Sequence, residues 1–198
     1  MADLYMDKHT QGSVENLRKY FMLGRHALGW YHDAYALCVE LSAKYNISVV
    51  VIAALIAVLS PSIRWDYNMV AAKIYLDAFT TGKPQPSVSG YSRNRNKAWL
   101  ILQTGDVTLV SGLKVLAFFR CIMGFYHDVV VDRHAIRAWL GIEDANGSIK
   151  FPKCVNERYA DDYRTLANEE GVTPAAAQAA VWVGYKESMA ANRKENAA

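Results

Sequence analysis

The sequence predicts an all-α protein, and three observations carry that prediction. Apolar residues recur at helical spacing along much of the chain, as at Trp30, Ala34, Leu37 and Leu41. The run from Ile47 to Leu59 is apolar except for Ser48 and is bounded by Asn46 and by Ser60-Pro61. That is too short to span a bilayer and fits a helix buried on all sides. No segment alternates apolar and polar residues as a half-buried strand does, and no internal repeat or low-complexity tract is present.

The elements follow in order. Ser13 is the expected N-cap of a short first helix, with Glu15 suited to the positive end of its dipole. A second helix covers Ala27 to Tyr45, and Ser48 is placed to cap the buried helix that ends at Ser60-Pro61. An amphipathic helix covers Tyr67 to Phe79. Thr80 to Gly90 is rich in Gly, Pro and Ser and reads as a loop. Helical character returns over Asn94 to Gln103, Leu113 to Met123 and Arg133 to Leu140. Gly141 to Cys154, with Asn146-Gly147 and Pro152, is irregular and suits a turn or hairpin. Two helices close the chain, Val155 to Glu170 and Pro174 to Ala190; Thr173-Pro174 is a strong start signal. We read residues 1–198 as a single domain, with N-terminal helices over 13–45, a core over about 47–190 and a frayed tail over 191–198.

Composition narrows the class. A chain of 198 residues with 52% hydrophobic and 21% charged residues is that of a folded globular protein. The 22 Lys and Arg against 19 Asp and Glu give a net charge of +3, which permits a polyanionic partner without demanding one. Cys38, Cys121 and Cys154 are far apart and odd in number, against a disulfide framework or a four-cysteine cluster. The start, Met1-Ala-Asp-Leu-Tyr5, has no basic and apolar leader pattern, so a cytoplasmic protein with no membrane partner is expected. His26, His32, His127 and His134 do not fall at metal-ligand spacing, so neither a metal nor a cofactor is expected.

Two residues stand out chemically. Lys114 opens a helix, at the positive end of the macrodipole, and shares a face with Phe118 and Cys121. Both circumstances favour a neutral, nucleophilic amine; the plainer alternative is a surface lysine whose stem covers apolar neighbours. Asp132 follows Val129-Val-Val131 and precedes a helix, the position of an ordinary N-cap. Hydrogen bonds from helix N–H groups would also fix such a carboxylate for electrostatic stabilisation of a cationic sugar. Arg133 and Arg137 share a helix face at i, i+4 spacing and suit phosphate contact or a solvated surface. His134 is a structural or a site histidine. Arg93, Arg95 and Lys97 interleave with amide side chains near a helix start, a pattern for backbone contact or a charged loop. Gln178 and Trp182 lie one turn apart and line either a base pocket or the core, and Trp30, Tyr31 and His32 invite the same two readings.

Taken as an ordered set, several segments resemble the helix-hairpin-helix (HhH-GPD) DNA glycosylase superfamily, in particular its endonuclease III-like branch. They are Leu55-Ile-Ala-Val-Leu-Ser60, Ala71-Ala-Lys-Ile-Tyr75, Asn96-Lys-Ala98, Ser111-Gly-Leu-Lys114 and Val131-Asp-Arg-His-Ala-Ile-Arg137. The resemblance covers roughly residues 47 to 142 and, more loosely, the C-terminal helices. It implies a two-lobed helical fold with DNA as partner, in duplex or single-stranded form, and a base flipped out of the stack. Lys114 would then attack C1′ and expel the base as a Schiff base forms, and Asp132 would stabilise the oxocarbenium-like charge. Gly112 would let the hairpin backbone approach a phosphate. Ser62 falls about where that branch places a glutamine that fills the gap left by the flipped base, with Arg64 and Trp65 nearby. The hairpin is degenerate, because Val110 stands where the first family glycine is expected, and the branch's iron–sulfur loop is absent.

The compact length and degenerate hairpin also resemble glycosylase-fold proteins encoded by bacteriophages, some implicated in thymine hypermodification; the location would then be host cytoplasm. The function expected from the resemblance is an N-glycosylase with AP lyase activity. The alternatives are a base-modifying transferase acting on a 5-substituted pyrimidine in DNA, a non-catalytic DNA-binding module, and a helical protein–protein adaptor.

Overall fold

A computed structural model of the chain describes residues 4–5, 12–142, 149–150 and 153–195. Among these residues the structure is built from α-helices, joined only by short 3-10 turns, loops and a two-residue strand pair. The helices are α1 (Val14–Leu23), α2 (Trp30–Tyr45), α3 (Val49–Leu59), α4 (Trp65–Thr80), α5 (Ser92–Thr104), α6 (Leu113–Ile122), α7 (Arg133–Leu140), α8 (Lys153–Glu169) and α9 (Pro174–Glu195). The chain forms two compact units. One draws on Met1–Tyr31 and Phe125–Ala198, the other on the continuous segment His32–Gly124.

The discontinuous unit gathers α1, α7, α8 and α9 around one core that includes Leu17, Phe21, Ile136, Trp139, Leu166 and Val181. Gly24 and Gly184 let two of its helices approach closely. A Cβ on Gly184 would lie 2.1 Å from the Tyr20 carbonyl oxygen, and one on Gly24 would lie 2.0 Å from that of Ala180. The α1–α9 contact therefore needs glycine on both sides for steric reasons. Ser13 caps α1 by accepting from the Asn16 N–H at 3.0 Å, and Asn16 Nδ2 donates to the Trp139 carbonyl at the end of α7. The strands β1 (Leu4–Tyr5) and β2 (Ile149–Lys150) pair in parallel, Leu4 opposite Ile149.

The continuous unit is organised around α3. Every residue from Val51 to Leu59 is buried, with α4, α5 and α6 packed against the helix. Such an apolar helix is stable in an aqueous environment only when its whole circumference is covered. Asn68, on α4, is 1 % exposed and donates from Nδ2 to the Ile56 carbonyl at 3.0 Å. It satisfies an acceptor near the α3 C-terminus, where Ser60 N–H turns to Ala57 instead. Cys38 and Cys121 are buried, and burial pushes the Cys38 thiol up to about 12.

Several expectations are corrected. Ser48 flanks α3 but makes no side-chain cap bond. Residues 27–29 are not part of α2, because a 3-10 turn over Arg25–Ala27 intervenes. Helix α9 continues through Glu195 rather than fraying after Ala190. Ala191, Arg193 and Lys194 are good helix formers, and the two cations sit at the negative end of the dipole. In the irregular stretch 141–154, residues 143–148 and 151–152, including Asn146-Gly147 and Pro152, lie outside the described residues, while Ile149–Lys150 pairs with the distant β1. Among the described residues no single helix is long and apolar enough to cross a membrane.

Candidate functional site

The discontinuous unit holds a carboxylate with a well-defined surround. Asp132 has extended backbone (φ −124°) and is the N-cap of α7; its Oδ1 accepts from the His134 and Ala135 N–H groups, both at 2.9 Å. Its Oδ2 accepts from Trp182 Nε1 at 3.0 Å. Both carboxylate oxygens are thus engaged by N–H donors from two helices, which fixes the group's orientation. The side chain remains half-buried.

Aromatic residues frame it. The Trp182 ring lies 6.4 Å from that of Trp30 and 6.5 Å from the His134 imidazole, and Tyr185 is 6.1 Å from that imidazole. Gln178, one turn before Trp182 on α9, is 3 % exposed, and its Oε1 accepts from the Tyr31 hydroxyl at 2.8 Å. Burial pushes the His134 imidazole below its ordinary value, and Arg133, Lys186 and Arg137 push the same way against the opposing pull of Asp132. The histidine is therefore held neutral beside the carboxylate. Behind it, Tyr159 and Tyr163 are fully buried, and burial drives both phenols upward.

Arg133 and Arg137 part company. Arg133 is exposed, whereas Arg137 is 3 % exposed, inside the unit rather than on a solvated or phosphate-facing surface. Helical spacing places both on neighbouring positions of one face, but α7 is covered all round from Ala135 to Trp139, and Arg133 at its first position stays exposed. Lys186, whose Nζ lies 4.0 Å from the Trp182 ring centroid, was not singled out from the sequence. Its i, i+4 spacing from Trp182 was the available signal.

The other sequence candidates lie in the continuous unit. Gly112 is the N-cap of α6 with φ +92°, a backbone conformation that favours glycine, and α6 has no side-chain cap. Lys114 is the second residue of α6 and is half-buried. Phe118, one turn further on and buried, packs edge-on against Trp65 at 6.4 Å. Lys97 Nζ donates to Ser111 Oγ at 2.5 Å, tying α5 to the turn that precedes α6. Arg95 donates to the Val88 carbonyl at 2.7 Å, so it braces the 80–90 loop, while Arg93 is exposed. Arg64 pairs with Asp66 and lies over the Tyr67 ring. Ser62 has φ +65°, unusual for a non-glycine residue, and its Oγ lies 3.1 Å from the Tyr91 hydroxyl. Among the described residues no three His, Cys, Asp or Glu side chains converge in a metal-ligand group.

Fold and site together define an all-helical protein with a doubly anchored carboxylate in aromatic surroundings. The chain belongs to DUF7178, a family of unknown function, whose match covers residues 24–189 and so includes all the candidate residues. No curated protein and no solved structure matches it.

Proposed function

We propose that this protein is a DNA base-processing enzyme, an N-glycosylase with AP lyase capacity, in which Asp132 stabilises positive charge developing at a sugar C1′. The observation that carries the reading is the Asp132 carboxylate, oriented by the α7 N-terminus and the Trp182 indole and set beside a neutral His134. A fixed anion lowers the barrier to an oxocarbenium-like transition state without having to reorganise when the charge appears. Aromatic rings on the same unit suit a planar base.

Lys114 is the candidate amine nucleophile. Its attack on C1′ forms the N–C1′ bond as the glycosidic bond breaks and the base leaves with the bonding electron pair. Loss of a proton from the amine and opening of the sugar then give the imine. In the hairpin, the uncapped N-terminus of α6 at Gly112 and the neighbouring Lys97 suit a phosphodiester, because N–H groups and an ammonium there both favour an anion.

The test is borohydride trapping on duplexes carrying an abasic site, comparing the wild type with Lys114→Ala and Asp132→Asn. The expected result is a covalent adduct with the wild type that is lost in Lys114→Ala and slowed in Asp132→Asn. No adduct from a wild type that binds the duplex overturns the lyase reading. Mass analysis of released and retained bases then separates a hydroxide-dependent glycosylase from a base-modifying transferase or a binding module.

A further inference from the structure

Cations from two helices stand around Asp132 and the adjoining His134. Arg133, Arg137 and Lys186 all act on that imidazole. Arg137 is buried and belongs to the interior, whereas Arg133 and Lys186 are exposed. They reach the site from different helices. Arg133 is the first residue of α7, next in the chain to Asp132, and Lys186 lies on α9 one turn beyond Trp182.

The Lys186 ammonium rests over the face of the same indole whose N–H holds Asp132. That placement sets an exposed ammonium on a flexible stem beside the carboxylate's own hydrogen-bond donor, within reach of a phosphate that approaches Asp132. The neighbouring acid, Glu187, faces His26 at 3.3 Å. An anchored anion with exposed cations beside it fits a ligand that is itself polyanionic but becomes locally cationic where it reacts. A phosphodiester-linked nucleotide has that charge pattern.

The geometry points to Arg133 and Lys186 as a phosphate clamp on the discontinuous unit, holding the DNA backbone on either side of the nucleotide presented to Asp132. This assignment rests on the base-processing reading, and it gives that reading backbone contacts on α7 and α9. Lys186 would leave the indole face when a base stacks there and pair with the phosphate.

Salt dependence of DNA binding tests the clamp, because each phosphate contact contributes about 0.9 to the slope of log affinity against log salt on duplex DNA. The probe is a fluorescein-labelled duplex with a tetrahydrofuran abasic analogue, titrated by anisotropy from about 50 to about 200 mM salt. The proteins are the wild type, Lys186→Gln, Arg133→Gln, the double variant, and Lys83→Gln as a control on the exposed 80–90 loop. Each clamp substitution is expected to flatten the slope by about 0.9, so that across this range the wild type loses about 3-fold more affinity than either variant. The double variant should flatten it by about twice as much, and Lys83→Gln should leave it unchanged. Thermal unfolding of each variant establishes that the fold is retained. Wild-type slopes in Lys186→Gln and Arg133→Gln overturn the clamp while leaving base processing standing. A wild type that binds no duplex even at the lowest salt overturns both.

Discussion

The two units place their polar residues in different ways. In the discontinuous unit the candidate groups are interlocked: Asp132 is held by α7 and α9, Gln178 by Tyr31, and His134 is walled by Trp182 and Tyr185. In the continuous unit they form surface pairs over an apolar centre, such as Arg64 with Asp66, Lys97 with Ser111, and Arg95 with the 80–90 loop. Interlocked polar groups are costly to disturb and keep one geometry, which suits chemistry. Exposed pairs are weak individually and exchange partners readily, which suits contact with a polyanion. The difference teaches where to expect loss of turnover and where to expect loss of grip.

Asp132→Asn gives the sharpest division. Asparagine's one amide oxygen can still cap α7, but its Nδ2 cannot accept from Trp182 Nε1, so stability should fall by about 1–3 kcal/mol, while loss of the anion lowers single-turnover base release by about 100-fold or more. Asp132→Ala should add a cap loss of about 1–2 kcal/mol, read by denaturant unfolding. Equal activity in wild type and Asp132→Asn would reduce Asp132 to a structural cap and erase the contrast between the units.

Gly184→Ala attacks the packing that supports the interlocked unit. The new Cβ meets the Tyr20 carbonyl at 2.1 Å, and backbone cannot swing aside as a side chain can. A loss of about 3 kcal/mol in urea unfolding is expected. The counterpart in the continuous unit is Gly112→Ala, where a Cβ meets nothing within 4 Å and only the φ of +92° resists. Its cost should be about 1–2 kcal/mol, with DNA affinity falling more than stability. Similar costs at the two glycines would contradict the distinction between close packing and backbone conformation.

His134 adds a pH signature to the discontinuous unit alone. Because its folded-state value is depressed, the unfolded chain takes up the proton first as pH falls. Stability from this group is therefore complete above the ordinary histidine value of about 6.5, declines below it, and levels off once the folded imidazole is also protonated. Melting temperatures measured from about pH 7 down to about pH 5 should fall more steeply for the wild type than for His134→Gln. The smallest effect should come from Lys97→Ala, at about 0.5 kcal/mol or less, because the Lys97–Ser111 bond is solvent-exposed.

Much of the helical layout was legible locally. Arg133–Leu140 has the bounds read from Asp132 before it and Gly141 after it, and Thr173-Pro174 marked the start of α9. Caps and glycine stops act within a turn or two of the residues that encode them. The surround of Asp132 was less legible, because the Trp182–Asp132 bond joins positions 50 apart in the chain. Periodicity put Arg133 and Arg137 on neighbouring positions but carried no information on which of them faced the core. Likewise, no local pattern announced that α1 packs on α9, since the glycines that permit it, Gly24 and Gly184, look like ordinary breaks in a helical run.

That pairing of α1 with α9 has a consequence for biosynthesis. The segment His32–Gly124 leaves the ribosome as an uninterrupted stretch and can begin to fold while the residues after it are still being translated. Helix α1 has no such opportunity, because the face bearing Leu17, Tyr20 and Phe21 is covered only when α7, α8 and α9 arrive. Until then those side chains stay exposed on a nascent chain, so a helix made before the continuous unit docks after it. A holdase chaperone acting on this polypeptide would find a long-lived target there.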